Sequence, residues 1–124
     1  MPRILIIDDE ESILESLQIL LQQAGHTVET ATNGKVINRH MNGTSPDLIL
    51  LDYYLPDRNG DSIACELKSR EDTKHIPIVM ISASYAVKGV AMSVGADDFL
   101  SKPFNFDDLL TKLDQVIKQR SMVH

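Results

Sequence analysis

The stretch LILLDYYLPDRNG, residues 48–60, sets four aliphatic side chains in a row and ends them on a carboxylate, Asp52. Leu48 to Leu51 lack the polar alternation of a half-exposed strand. Such a run reads as a strand buried on both faces, as in the middle of a parallel sheet. Two tyrosines, a Leu-Pro pair and the turn Asn59-Gly60 then close the segment. A charge at the end of a buried strand is costly unless it lies at the rim of the sheet. Asp52 is therefore expected at the rim, aimed into a cleft.

The same pattern recurs on either side. Ile4 to Ile7 is an apolar run closed by Asp8 and Asp9, and Ile78 to Ile81 is another, ending at Ser82. Thr27 to Ala31 alternates and predicts an edge strand, and a short strand around Asp98 to Leu100 leads into Lys102-Pro103. Helical segments separate them. Residues 10–24 carry one apolar stripe (Ile13, Leu14, Leu17, Leu20, Leu21, Ala24), with Asp9 as the expected cap and Gly25 as the stop. Residues 34–41 give a weak helix, with Val36, Ile37 and Met41 apolar. Helices near 61–69 and 86–94 follow, the first burying Ile63, Ala64 and Leu67, the second ending at Gly95. The last helix carries Phe106, Leu109, Leu110, Leu113, Val116 and Ile117 on one stripe, with Asn105 as cap. Five β–α units in strict alternation predict an α/β fold, a doubly wound parallel sheet with helices on both faces.

The bulk numbers agree with one domain spanning 1–124, its core about 3–120. The chain is 43% hydrophobic and 24% charged, with a formal net charge of -6. That balance gives no footprint for direct nucleic-acid binding and disfavours anionic membranes. The N-terminus resembles neither a signal peptide nor a span, so no membrane association is expected. A single cysteine, Cys65, allows no disulfide within the chain, and it is expected to be an inert core thiol in a reducing cytoplasm.

In a sheet of this kind, function gathers at the carboxyl ends of the strands. Those ends supply Asp8 and Asp9, Asp52, Ser82 and Lys102. Carboxylates ~4 Å apart repel by about 1 kcal/mol in water and about 4 kcal/mol at an effective dielectric of 20. An oxygen-only set of this type suits Mg²⁺ or Mn²⁺. His26, His40, His75 and His124 are scattered, and no His/Cys cluster suggests zinc. A carboxylate beside a divalent cation and a lysine can attack phosphorus.

Four segments carry a resemblance to the receiver domain of two-component response regulators: ILIIDDE (4–10), PDLILLDYYLPDRNG (46–60), IPIVMISA (76–83) and GADDFLSKPF (95–104). The resemblance covers the whole chain. It implies a flavodoxin-like (βα)5 fold with strand order 2-1-3-4-5. It implies that Asp52 is the phosphoacceptor and that Asp8, Asp9, Asp52 and the backbone carbonyl of Tyr54 hold Mg²⁺, Asp9 more directly than Asp8. Lys102 and Ser82 would contact the phosphoryl group, Ser82 and Phe99 would act as the switch pair, and the bond to Pro103 would be cis. The implied donor is a histidine kinase or a histidine phosphotransfer protein. The implied output is a downstream protein or domain docking on the fourth helix, fifth strand and fifth helix, a face that also allows a homodimer. On this reading the domain is a cytoplasmic signalling module and not an enzyme, although it assists its own phosphorylation and dephosphorylation. The start at Met1 and the short tail predict a stand-alone chain or an N-terminal receiver.

The rival readings are weaker. An interaction module of the same fold that ignores phosphate has no need of the intact set Asp8, Asp9, Asp52, Ser82 and Lys102. An aspartyl-phosphate phosphatase needs a second acid two places after its nucleophile, where this chain has Tyr54. A flavin carrier needs a phosphate loop after the first strand, and DDEES is too acidic for one. Two departures from the family pattern bear on detail. The span from Ser82 to Gly95 is a residue or two short, which predicts a short or shifted fourth helix. The bulk of Tyr54 predicts slow hydrolysis of the phosphorylated form. Asp97-Asp98 is expected to be a solvated pair.

Overall fold

The computed structural model of the protein describes residues 2–37 and 45–122, with side chains to residue 119. Three apolar runs become the three central strands: β1 (Arg3–Ile7), β3 (Leu48–Asp52) and β4 (Ile78–Ser82). All residues of β3 and β4 are buried, as strands flanked on both faces must be. The alternating segment is β2 (Thr27–Ala31) and the fifth strand is β5 (Asp98–Ser101), and both lie at the edges. All neighbouring pairs are parallel, in the order β2-β1-β3-β4-β5. The doubly wound arrangement expected from the alternation is the one observed.

Four α-helices are found among the described residues: α1 (Glu11–Gln23), α2 (Gly60–Ser69), α3 (Lys88–Ser93) and α4 (Phe106–Met122). The helix expected over 34–41 falls largely outside the described residues. Val36 and Ile37 at its start are buried. Side chains alternate along each central strand, so the core divides in two. Ile4, Ile6, Leu48, Leu50, Val79 and Ile81 face α1 and α4, meeting Leu14, Leu17, Leu21, Leu109 and Leu113. Leu5, Ile7, Ile49, Leu51, Ile78 and Met80 pack on the other face with Ile63 and Leu67 of α2 and Ala91 of α3. Truncating one such Leu to Ala costs about 2–5 kcal/mol, a large part of a domain's stability.

Several local expectations are corrected. Asp9 does not cap α1: the cap position is Glu10, without a side-chain cap bond. The Asp9 carboxylate instead turns toward Asp8 and Asp52. Cys65 is exposed, because the helical step from Ala64 carries it off the buried stripe Ile63, Ala64 and Leu67. Phe106 opens α4 at 49% exposure, ahead of the turn that reaches the sheet at Leu109. Asp97 is exposed, as expected of a solvated acid, but it is also bonded: its Oδ2 accepts the Ile78 N–H at 2.8 Å and pairs with Lys68 Nζ at 3.1 Å. Asp98 pairs with Lys112 at 3.1 Å. The short fourth helix is found as expected: a 3-10 turn, Tyr85–Val87, leads into the six residues of α3. Asn105 caps α4, accepting the Asp108 N–H at 2.8 Å.

Candidate functional site

The order in which strands are laid down reverses at β1 and β3, which are parallel neighbours in the sheet. A crevice opens at such a switch point, outside the carboxyl ends of the strands. Ile7 is registered with Leu51, so Asp8, one residue on, lies level with Asp52. Asp52 is in turn registered with Ile81, which brings Ser82 to the next step of β4, and Ser82 is registered with Ser101, the residue before Lys102. Parallel register alone therefore gathers Asp8, Asp52, Ser82 and Lys102 at one end of the sheet.

Asp8, Asp9 and Asp52 each bring a carboxylate oxygen within 4.8 Å of the others. Asp8 is fully buried and Asp52 is 5% exposed, so the rim position expected of Asp52 is more enclosed than the sequence suggests. Asp9 is exposed. Lys102 Nζ lies 3.0 Å from Asp8 Oδ2, 3.5 Å from Asp52 Oδ2 and 3.6 Å from Glu10 Oε1. Asp8 Oδ1 accepts the Glu10 N–H at 3.0 Å. Burial and the nearby Asp8 charge push the Asp52 carboxyl up to about 6, against the pull of Lys102 and the Tyr54 N–H. Burial works to lower the Lys102 ammonium, but the hydrogen bond to Asp8 and the charges of Asp52, Asp8 and Glu10 outweigh it, so its pKa is raised. Lys102 is therefore fully charged at neutral pH.

Ser82 is fully buried, and its Oγ accepts the Ser84 N–H at 3.1 Å. Phe99 is 5% exposed and meets Tyr85 edge-on, ring centroids 6.1 Å apart. Tyr54 is half exposed and meets Tyr53 edge-on at 4.7 Å. The Lys102-Pro103 bond is cis. A cleft of about 490 Å³ runs between Ser12, Ile13 and Ser16 of α1 and the segment Lys102 to Phe104. Asp8, Asp9, Asp52 and Lys102 thus lie together, Ser82 ends the adjoining strand, and Phe99 lies on β5 beside that strand and not in the carboxylate cluster. Sequence reasoning missed Glu10 as a third partner of Lys102. Its place directly after Asp8-Asp9 was the available signal.

The family model for the response regulator receiver domain matches residues 4–114. The chain belongs to that family. This receiver domain is 38% identical over 118 residues to the phosphate regulon transcriptional regulatory protein PhoB of Pseudomonas aeruginosa, covering 94% of this chain and 52% of that protein. It spans about half the length of the curated relatives it matches. Its fold superposes with a TM-score of 0.91 on a CheY-like receiver domain protein from Methanospirillum hungatei, at 27% identity, covering 100% of this chain and 99% of that one. A second structure, the receiver domain of the sensor histidine kinase PA1611 from Pseudomonas aeruginosa, has a magnesium ion coordinated in its active-site cleft. It matches with a TM-score of 0.85 at 25% identity, covering 94% of this chain and 98% of that one. Among the described residues of the receiver, no helix is long and apolar enough to cross a membrane.

Proposed function

We propose that this receiver domain takes a phosphoryl group on Asp52 from a phosphohistidine donor, a histidine kinase or histidine phosphotransfer protein, in a reaction that needs a divalent cation. The observation that carries the reading is the convergence of Asp8, Asp9 and Asp52 within 4.8 Å beside Lys102. With its pKa near 6, Asp52 is mostly ionised at neutral pH yet more basic than an ordinary carboxylate, as suits a nucleophile. An Asp52 oxygen attacks phosphorus. The phosphorus–nitrogen bond breaks as the oxygen–phosphorus bond forms, and the imidazole leaves with the electron pair.

The all-oxygen donor set fits Mg²⁺, with Mn²⁺ as a substitute, and three carboxylates converge on it within 4.8 Å. Asp8, Asp9, Asp52 and the Tyr54 carbonyl are the proposed ligands. When bound, the cation offsets the negative charge of the carboxylates and of the incoming phosphoryl oxygens. Lys102 orients the phosphoryl group from the other side. Ser82 exchanges its bond from the Ser84 N–H for one to the phosphoryl group, which draws on the segment that carries Tyr85, the edge-on neighbour of Phe99. Repacking of Phe99 then biases the surface of α3, β5 and α4 between two states, for a downstream protein, an output domain or a second copy. No turnover of a separate substrate is part of this reading: the phosphorylated domain is the signal, and water resets it.

The test is the intact mass after incubation with acetyl phosphate and Mg²⁺. One added phosphoryl group is expected, absent in Asp52→Asn and absent in EDTA. If neither acetyl phosphate nor a phosphorylated histidine donor adds mass to the wild type, the domain is a phosphate-independent interaction module.

A further inference from the structure

Asp57 lies three residues beyond Tyr54, in the loop between β3 and α2, and none of the roles above uses it. Both its carboxylate oxygens lie 3.1 Å from the backbone N–H of Gly34, in the segment that follows β2. The approach is close by construction. A Cβ on Gly34 would stand 2.6 Å from Ile63 Cδ1 and 3.2 Å from Asp57 Oδ2, so a larger residue there would have to push aside the Ile63 side chain and crowd the carboxylate. Three residues earlier in the chain, the Ala31 carbonyl accepts the Asp8 N–H at 3.0 Å. Residues 31–34 therefore form a strut. One end is bonded to the backbone of Asp8, the other to the loop that carries Tyr54.

The base of that loop is held separately. The Tyr53 N–H donates to Ile81 O at 2.9 Å, and the Gly60 N–H closes back on the Tyr53 carbonyl. Tyr53 and Leu55 are buried in the same core cluster as Val36 and Ile37. At the far side of the loop, Arg58 is bonded to Ser62 and Glu66 on α2. Those ties join the loop to β4 and α2. The tie through Gly34 is different, because it joins the loop to the strand pair β1–β2 that supplies Asp8 and Asp9.

We propose that Asp57 is a positioning residue: through Gly34 it fixes the loop bearing the Tyr54 carbonyl relative to the Asp8–Asp9 end of β1, and so sets the affinity of the site for Mg²⁺. The inference rests on the metal-dependent reading given above. A ligand set drawn from two separate elements binds a small, geometrically demanding cation well only if the elements are held in register.

The experiment is a titration with Mg²⁺ alone, no phosphodonor present, followed by amide NMR. Asp57→Ala is expected to raise the Kd by about tenfold, in the range found for outer groups that orient metal ligands. Asp57→Asn keeps an acceptor oxygen for Gly34 and should restore most of the affinity. A residue that merely staples a loop would lower the melting temperature and leave the Kd alone, so a wild-type Kd in Asp57→Ala overturns the proposal. Should Asp57→Ala not fold, hydrogen exchange in the wild type decides. Coupling is reciprocal, so saturating Mg²⁺ must slow exchange of the Gly34 amide, and unchanged exchange overturns the proposal. A wild type that binds no Mg²⁺ overturns the metal-dependent reading itself, a failure visible before any substitution is made.

Discussion

The Lys102 ammonium sits closer to Asp8, at 3.0 Å, than to Asp52, at 3.5 Å. Asp8 is the more deeply buried of the two and accepts the shorter bond. Lys102 therefore acts first as the counter-ion of Asp8, and Asp52 is left under-compensated. Burial, with the Asp8 charge adding to it, pushes the Asp52 carboxyl up to about 6 although a lysine is in reach. The division of Lys102 leaves the residue proposed as nucleophile the less firmly held of the pair, free to take a new bond.

A pH-dependent stability follows. The folded pKa of Asp52 lies above its ordinary 3.8, so between pH about 4 and 6 the native chain holds this proton more tightly than the unfolded chain does. Its contribution to stability is present below that window and is lost as pH rises through it. Asp52→Asn removes the charge and should be more stable than wild type at pH 7 by up to about 3 kcal/mol in EDTA. The difference should shrink toward pH 4. Urea denaturation at the two pH values checks this, and equal stabilities at pH 7 would contradict it.

Cation binding should run the other way. If Mg²⁺ occupies the cluster, it stabilises the native state by about 2.7 kcal/mol at one hundred times its Kd. Asp9 is exposed and lies outside the bonds of Lys102, so Asp9→Asn should fold as well as wild type in EDTA yet lose most of the gain in Mg²⁺. Paired thermal melts, with and without the metal, read both quantities. A full Mg²⁺ response in Asp9→Asn would remove that residue from the ligand set.

At the opposite end of the sheet, Asp97 ties three elements. It accepts the N–H of Ile78 at the start of β4 and pairs with Lys68 of α2, whose Nζ also donates to Ile76 O at 2.8 Å. Asp97→Ala orphans the Ile78 N–H and removes the carboxylate partner of Lys68, and is expected to cost about 1–3 kcal/mol. The exposed pair Lys74–Glu71 offers a control, because such pairs contribute about 0–1 kcal/mol. Chemical denaturation of Asp97→Ala and Glu71→Ala should separate the two, while phosphorylation by acetyl phosphate stays unchanged in both.

What was legible in the sequence was whatever rests on uninterrupted pattern. Leu48 to Leu51 and Ile78 to Ile81 are buried on both faces, and nothing else accommodates such runs in a chain of this length. Once the strands are parallel and in order, register delivers Asp8, Asp52, Ser82 and Lys102 to the carboxyl end of the sheet, so the candidate cluster was legible too. The misreadings concern side chains with a choice of partners. Asp9 has the composition of a helix cap but its carboxylate lies with those of Asp8 and Asp52, and Asp97, exposed as expected, also meets Lys68 across 29 residues. Cys65 went astray by one helical step. Asp57 gave no signal, since its partner is a backbone N–H that leaves no trace in residue type.

The last prediction concerns the lifetime of the signal. Tyr54 is 52% exposed, two residues beyond Asp52, and its ring is steadied edge-on by the buried Tyr53 at 4.7 Å. A bulky ring two residues beyond the phosphoacceptor would restrict the approach of water to an acyl phosphate on Asp52. It does not obstruct the initial transfer to the same degree, because a phosphodonor brings its own binding contacts. Tyr54→Ala should therefore lose the phosphoryl group faster than wild type, by about threefold to tenfold, the effect of roughly 1 kcal/mol in the barrier. Tyr54→Phe should resemble wild type, since bulk and not the hydroxyl is the obstacle. Decay of the intact-mass adduct after removal of the donor measures all three. A wild type that decays as fast as Tyr54→Ala would show that water reaches phosphorus by another side.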